Sequence, residues 1–292
     1  MTHSELSIAA AEQLRRADSR IGALLIASGK ITPDHAEHAL RLQGEMGIRF
    51  GEAARRLGLV EDADIEQVLA RQFDYPYLRP GDGAYSRHLV AAYDPFGAQA
   101  ETLRAVRSQL LLRWFSRGHK SLVVAGVAQG DGASLFAANL AVAFAQLGRR
   151  TLLIDADLRR PTQQAIFNAG MRQGLADMLA GRLDPDQVEA LAPFGPLSLL
   201  GAGTLPPNPQ ELLSRPEMTN LNAGFEAHYD VVLYDVTPGE LSVDMLLLAA
   251  RTGGVLIVAR KNQTQLGSLQ ALAARVGQNG AKVVGAVMVE FP

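Results

Sequence analysis

From Ser121 onward the chain alternates short uninterrupted aliphatic runs with longer amphipathic stretches, and this alternation restricts the fold more than any other feature. The runs are Leu122–Gly126, Thr151–Ile154, Leu197–Leu200, Val231–Tyr234, Val255–Ala259 and Lys282–Val287. Short apolar runs without polar alternation suit strands covered on both faces. The stretches between them, the first from Ser134 to Leu147, have the length and periodicity of crossover helices. The expected class is α/β, a mostly parallel sheet with helices on both faces.

The first run leads into Ala128-Gln129-Gly130-Asp131-Gly132-Ala133-Ser134, which opens the first helix. A glycine-rich turn there lets successive N–H groups face phosphate oxygens, aided by the helix dipole. Ser134 stands where a hydroxyl holds Mg²⁺ in a P-loop, but the preceding position, a lysine in a working P-loop, is Ala133. The second run ends in Asp155-Ala156-Asp157-Leu158-Arg159, and the run Val231–Tyr234 ends in Asp235. Carboxylates beyond the C-terminal ends of parallel strands face the ligand crevice of an open α/β sheet. Asp155, Asp157 and Asp235 are therefore the candidate catalytic acids, and Ser134, Asp155 and Asp235 the candidate Mg²⁺ ligands.

A helix is expected from Gln99, with Glu101, Arg104 and Arg107 on one stripe. That spacing, the acid run, Ala137-Ala138-Asn139-Leu140-Ala141, Gly174-Leu175, the stretch 207–213 and Arg260-Lys261-Asn262 resemble the cytoplasmic domain of bacterial tyrosine kinases that regulate capsule and exopolysaccharide chain length. The resemblance covers roughly residues 98–292. It implies a P-loop NTPase-like fold binding ATP or ADP with Mg²⁺, and a homo-oligomer with Glu101, Arg104 and Arg107 at the subunit contact. It also implies a membrane-anchored polysaccharide co-polymerase or export partner. Three departures stand out: Ala133 for the lysine, Val236 after Asp235 where a Thr-Pro is usual, and no tyrosine-rich stretch after Tyr229 and Tyr234. They point to a degenerate kinase.

Nearer the N-terminus the chain repeats itself. Residues 20–43 and 49–72 align, pairing Arg20 with Arg49, Gly22 with Gly51, Gly29 with Gly58 and Gln43 with Gln72. Each unit reads as helix, glycine stop, helix, with Ala36, Leu40 and Gln43, and then Ile65, Leu69 and Gln72, sharing a face. Residue by residue this resembles the tandem motif of the MshEN-type N-terminal domain of type II secretion and pilus ATPases, some of which bind cyclic di-GMP. Arginine offers a fork to phosphate or guanine, and glycine permits close approach. The resemblance makes Arg20, Ile21, Gly22, Gly29, Gln43, Arg49, Phe50, Gly51, Gly58 and Gln72 candidate contacts. The expected organisation is a small all-α domain of tandem helical hairpins at 1–78, a linker at 79–97 and the P-loop domain at 98–292.

Composition removes several classes. The absence of cysteine excludes disulfides and thiolate metal sites, and a net charge of −2 gives no field for nucleic acid. No apolar run approaches the ~20 residues of a membrane span, and the first residues lack a signal-like apolar segment. The expectation is a cytoplasmic, cyclic-di-GMP-responsive regulator of exopolysaccharide synthesis, recruited to the inner membrane by its partner. Two alternatives stay open: an active tyrosine autokinase or ATPase in which Arg159 or Lys261 compensates, and an oligomeric scaffold that binds no nucleotide.

Overall fold

The computed structural model describes residues 21–62, 64, 65, 68, 76–78, 81–239 and 242–290. The chain divides into two compact units, Met1–Tyr75 and Pro76–Pro292.

In the first unit, residues 21–27 are helical and stop at Gly29, whose φ is +70°. Thr32 then caps α1 (Pro33–Met46) by accepting from the His35 amide at 3.2 Å. Helix α2 (Phe50–Arg56) replays the first segment and stops before Gly58, with φ +67°. The two stops match bond for bond: Gly29 N to Ile26 O and Gly58 N to Arg55 O are both 2.9 Å, and Lys30 N to Leu25 O and Leu59 N to Ala54 O are both 3.0 Å. Only a residue that tolerates positive φ closes both helices this way.

The core of this unit takes in several of the candidate contacts. Phe50 is fully buried and Ile21 nearly so, both in the cluster with Leu25, Ala39, Ala53 and Val60. A Cβ at Gly22 would stand 3.2 Å from the Phe50 ring, and one at Gly51 would stand 3.3 Å from Ile65. Ile21 and Phe50 are thus interior packing, and Gly22 and Gly51 let helices approach. The buried face of α1 runs through Ala36 and Ala39, leaving Leu40 half exposed because the short alanines draw the helices together on their own side. Arg49 is exposed; Arg20, Leu69 and Gln72 lie outside the described residues.

The second unit is a seven-stranded sheet of β1 (Ser121–Gly126), β2 (Thr151–Asp155), β3 (Glu189–Ala190), β4 (Leu197–Leu200), β5 (Val231–Asp235), β6 (Gly254–Arg260) and β7 (Lys282–Val289). Its order is β3-β4-β2-β5-β1-β6-β7, parallel except for the short β3 against β4. Alternate strand residues feed two cores. Val123, Ile154 and Tyr234 face one side, covered by α7 (Pro209–Ser214), α8 (Glu217–His228), α9 (Val243–Thr252) and α10 (Leu266–Gln278) among others; Leu122, Leu153 and Leu233 face the other, under α3 (Ala98–Arg113) and α4 (Ala133–Gln146). Between these, α5 (Gln163–Ile166) and α6 (Leu175–Leu179) follow β2.

Two expectations change here. The segment expected as a linker is, over 81–97, part of this unit: Leu89, Ala91 and Ala92 are buried with Leu78 beneath α4. Side chains of α4 hold its backbone, Asn139 Oδ1 accepting from Ala91 N at 2.9 Å and Gln146 Nε2 donating to Ala91 O at 2.6 Å. Arg107 points inward rather than along an open stripe, donating from Nη1 to Ala143 O at 2.7 Å. Arg104 pairs with Glu101 on its own helix at 2.5 Å. No helix among the described residues is long and apolar enough to cross a membrane.

Candidate nucleotide-binding site

The sheet order brings the sequence-distant motifs to one edge. β5 lies between β1 and β2, with Asp155 directly opposite Asp235 and Val124 opposite Asp235 on the other side. The turn after β1 therefore overhangs both acids. Gly130 and Gly132 take φ of +90° and +80°, and Gly132 precedes α4 with no side chain capping the helix. The first-turn amides of such a helix have no intrahelical acceptor. The loop and Asp157 border a cavity of about 470 Å³ lined by Gly130, Asp131, Ala133, Ser134, Arg160 and Thr237, among others.

Asp131, buried within the loop, shapes it from inside. Its Oδ2 accepts from Ala128 N at 2.7 Å and its Oδ1 from Thr264 Oγ1 at 2.9 Å. Thr264 Oγ1 accepts in turn from Arg260 N at 2.7 Å, while Arg260 Nη1 donates to Gly130 O at 3.4 Å. The loop is clasped to the segment after β6.

Asp155 Oδ2 accepts from Thr162 N at 2.8 Å and Gln163 N at 2.9 Å. Asp157 Oδ1 accepts from the amides of Arg159 and Arg160 and, at 2.8 Å, from the Thr237 hydroxyl. Asp235 is fully buried; Gln163 Nε2 donates to its Oδ2 at 2.7 Å, and its Oδ1 has no partner. Burial pushes Asp155 up to about 6 and Asp235 up to about 8, the latter helped by the charges on Asp155 and Asp157. Among the described residues no three His, Cys, Asp or Glu side chains form a metal-holding cluster.

With this geometry in hand, the relatives are informative. No protein-family model matches the chain. The tyrosine-protein kinase YwqD of Bacillus subtilis is 32% identical over 212 residues, which cover 72% of this chain and 90% of that protein. The chain belongs to the bacterial tyrosine-protein kinase family. EpsB of Ralstonia nicotianae is 35% identical over 201 residues, 69% of this chain but only 27% of that longer protein. Against relatives of that kind the chain spans about a quarter of their length. The kinase domain of Escherichia coli tyrosine kinase ETK superposes with a TM-score of 0.68 at 27% identity, covering 75% of this chain and 85% of that domain.

Within this tyrosine-kinase fold, Gly130, Asp131, Gly132, Ala133, Ser134 and Asp157 line one crevice, while Asp155 and Asp235, opposite each other on neighbouring strands, are fully buried and do not line it. Glu101, Arg104 and Arg107 lie on α3, and none of them lines this cavity. The Ala133 methyl group is packed in the apolar cluster under α4. The Thr-Pro expected directly after Asp235 sits one residue later, as Thr237-Pro238, and the Thr237 hydroxyl still reaches an acid. Sequence reasoning missed Gln163, which bridges Ser134 O and Asp235, and Arg160, which lines the cavity. The doublet Arg159-Arg160 after the acid run was the available signal for the second.

Proposed function

We propose that this chain is a nucleotide-dependent regulator built on a bacterial tyrosine kinase domain, a pseudokinase that holds MgADP or MgATP but transfers phosphoryl groups poorly. The observation that carries this reading is Ala133, an apolar methyl buried where a P-loop presents its lysine, beside acids that are all retained. The donor set suits Mg²⁺: a serine hydroxyl and buried carboxylates, one with an oxygen that lacks any partner. Ser134, Asp155 and Asp235 would hold the ion, which neutralises charge on bridging phosphate oxygens when bound. The loop amides and the start of α4 orient the phosphates. Without the lysine, charge that gathers in the transition state lacks its strongest local counterpart, so binding persists better than transfer. Burial also removes Tyr234 as an acceptor, because its hydroxyl is committed to Asn222 at 2.8 Å. By likeness to its relatives, the output is a membrane-anchored exopolysaccharide export partner.

Titration calorimetry with MgADP and transfer of radiolabel from ATP test this together. Binding with negligible label is expected. Robust labelling abolished by Asp155→Asn would establish an active kinase instead, and no binding of either nucleotide would leave a scaffold.

A second reading concerns the first unit, where the two matched helix stops favour a pseudo-symmetric ligand. Cyclic di-GMP is that ligand, with exposed Arg49 and its repeat partner Arg20 as phosphate or guanine contacts. Calorimetry with cyclic di-GMP should show heat that Arg20→Ala with Arg49→Ala removes; unaltered binding in the double variant defeats the assignment.

A further inference from the structure

A phosphate cradle without its lysine still needs a positive charge, and the cations around it differ in whether theirs is already neutralised. Arg159 Nε donates to Asp244 Oδ2 at 2.8 Å, and Lys261 Nζ to Glu290 Oε2 at 2.8 Å. Each is paired with a carboxylate and is committed away from the loop. Arg260 donates to the Gly130 carbonyl as part of the clasp and does not line the cavity.

Arg160 is placed differently. Its backbone N–H is fixed to Asp157 Oδ1 at 3.0 Å, so the side chain rises from the acid loop itself. Its guanidinium donates to the Gln129 side-chain oxygen, on the glycine loop, and that partner is neutral. Among the described residues no carboxylate pairs with Arg160, and it is the one arginine or lysine lining the cavity. The same cavity is walled by Asp131 and Asp157, and Arg160 is the arginine or lysine that offsets them, with His88 also in the lining. A solvated surface arginine resting on a glutamine is the plain alternative. What separates the two is the anchoring of both ends, acid loop and glycine loop, across the mouth of one crevice.

We propose that Arg160 is the phosphate-binding cation of this site, taking over from the opposite wall the role that a lysine at position 133 would fill, with Gln129 as the partner that phosphate displaces. A guanidinium offers two parallel N–H groups to phosphate, whereas a lysine offers a point charge. The assignment rests on the nucleotide-holding reading above.

The test is MgADP calorimetry on the full chain for wild type, Arg160→Ala and Arg160→Lys; Arg160 is exposed, so both variants should fold. Losing a charge-assisted contact should raise Kd about tenfold or more in Arg160→Ala, and Arg160→Lys, which keeps the charge without the fork, should recover part of it. Added salt should weaken wild type more than Arg160→Ala. Wild-type binding with Arg160→Ala unchanged, or equal losses in the two variants, overturns the assignment alone. No binding by wild type overturns the nucleotide reading and the assignment with it.

Discussion

Replacing Asp235 by asparagine should remove most of the loss of stability that the second unit suffers as pH rises above neutrality. Asp235 is fully buried with one unpartnered oxygen, and its carboxyl is raised from 3.8 to about 8, chiefly by burial. In metal-free protein the folded state therefore keeps a proton that the unfolded chain has released. Stability from this group is full below the unfolded value and is lost as pH rises toward the folded one. Asp155 is raised by the same burial and titrates together with Asp235, so the loss is that of the pair, with Asp235 the more strongly raised. One linked proton changes stability by about 1.4 kcal/mol per pH unit. Water entry and relaxation reduce this, so the interval from pH 6 to 8 should cost wild type about 2 kcal/mol. Asparagine is neutral throughout and adds no such slope. The variant should gain about 2 kcal/mol on wild type across that interval. Urea unfolding in EDTA measures it through Trp114, the sole tryptophan, which is buried in the second unit. Parallel stability curves for the two proteins would refute the reasoning.

Ala133→Lys should tighten MgATP binding by about tenfold or more and raise label transfer from ATP; unchanged affinity by calorimetry would show that the loop no longer presents this position to phosphate. Gly254→Ala would set a Cβ 2.5 Å from the Trp114 ring and 2.9 Å from Val284, and overpacking of that kind costs about 1–3 kcal/mol. Its urea midpoint should fall, with a change in Trp114 emission. Arg107→Ala should lower the melting temperature, because it removes the bond to Ala143 O, worth about 1–3 kcal/mol for a charged donor. A shifted sedimentation profile without thermal loss would instead restore Arg107 to a subunit contact. Gly29→Ala and Gly58→Ala should each cost about 1 kcal/mol from positive φ, read as faster amide exchange in the preceding helix.

Most strands were legible because they are aliphatic runs, and strand limits differ by only a residue or two; the inner strands are covered on both faces as expected, whereas the edge strand β7 is not, with Val283 and Met288 exposed. β3 was not legible, since two residues, one of them glutamate, carry no periodicity. The segment at 81–97 misled for a related reason: its order comes from Asn139 and Gln146, which bond its backbone from about 50 residues away. In the site, Asp155 and Asp235 could be read because they terminate apolar runs. Gln163 could not, since it is a polar residue opening a four-residue helix and its link to Asp235 spans 72 positions of sequence. Thr237 and Arg160 belong to the same class, as their roles depend on which strands are neighbours.

The clasp between Asp131, Thr264 and Arg260 has a consequence for how such a protein can change over time. The curl of the loop is enforced by a carboxylate within it and by a segment 130 residues further along, and neither tie involves position 133. A single replacement there can silence the chemistry while the crevice keeps its outline. The outline of the crevice and the identity of residue 133 are thus free to vary independently.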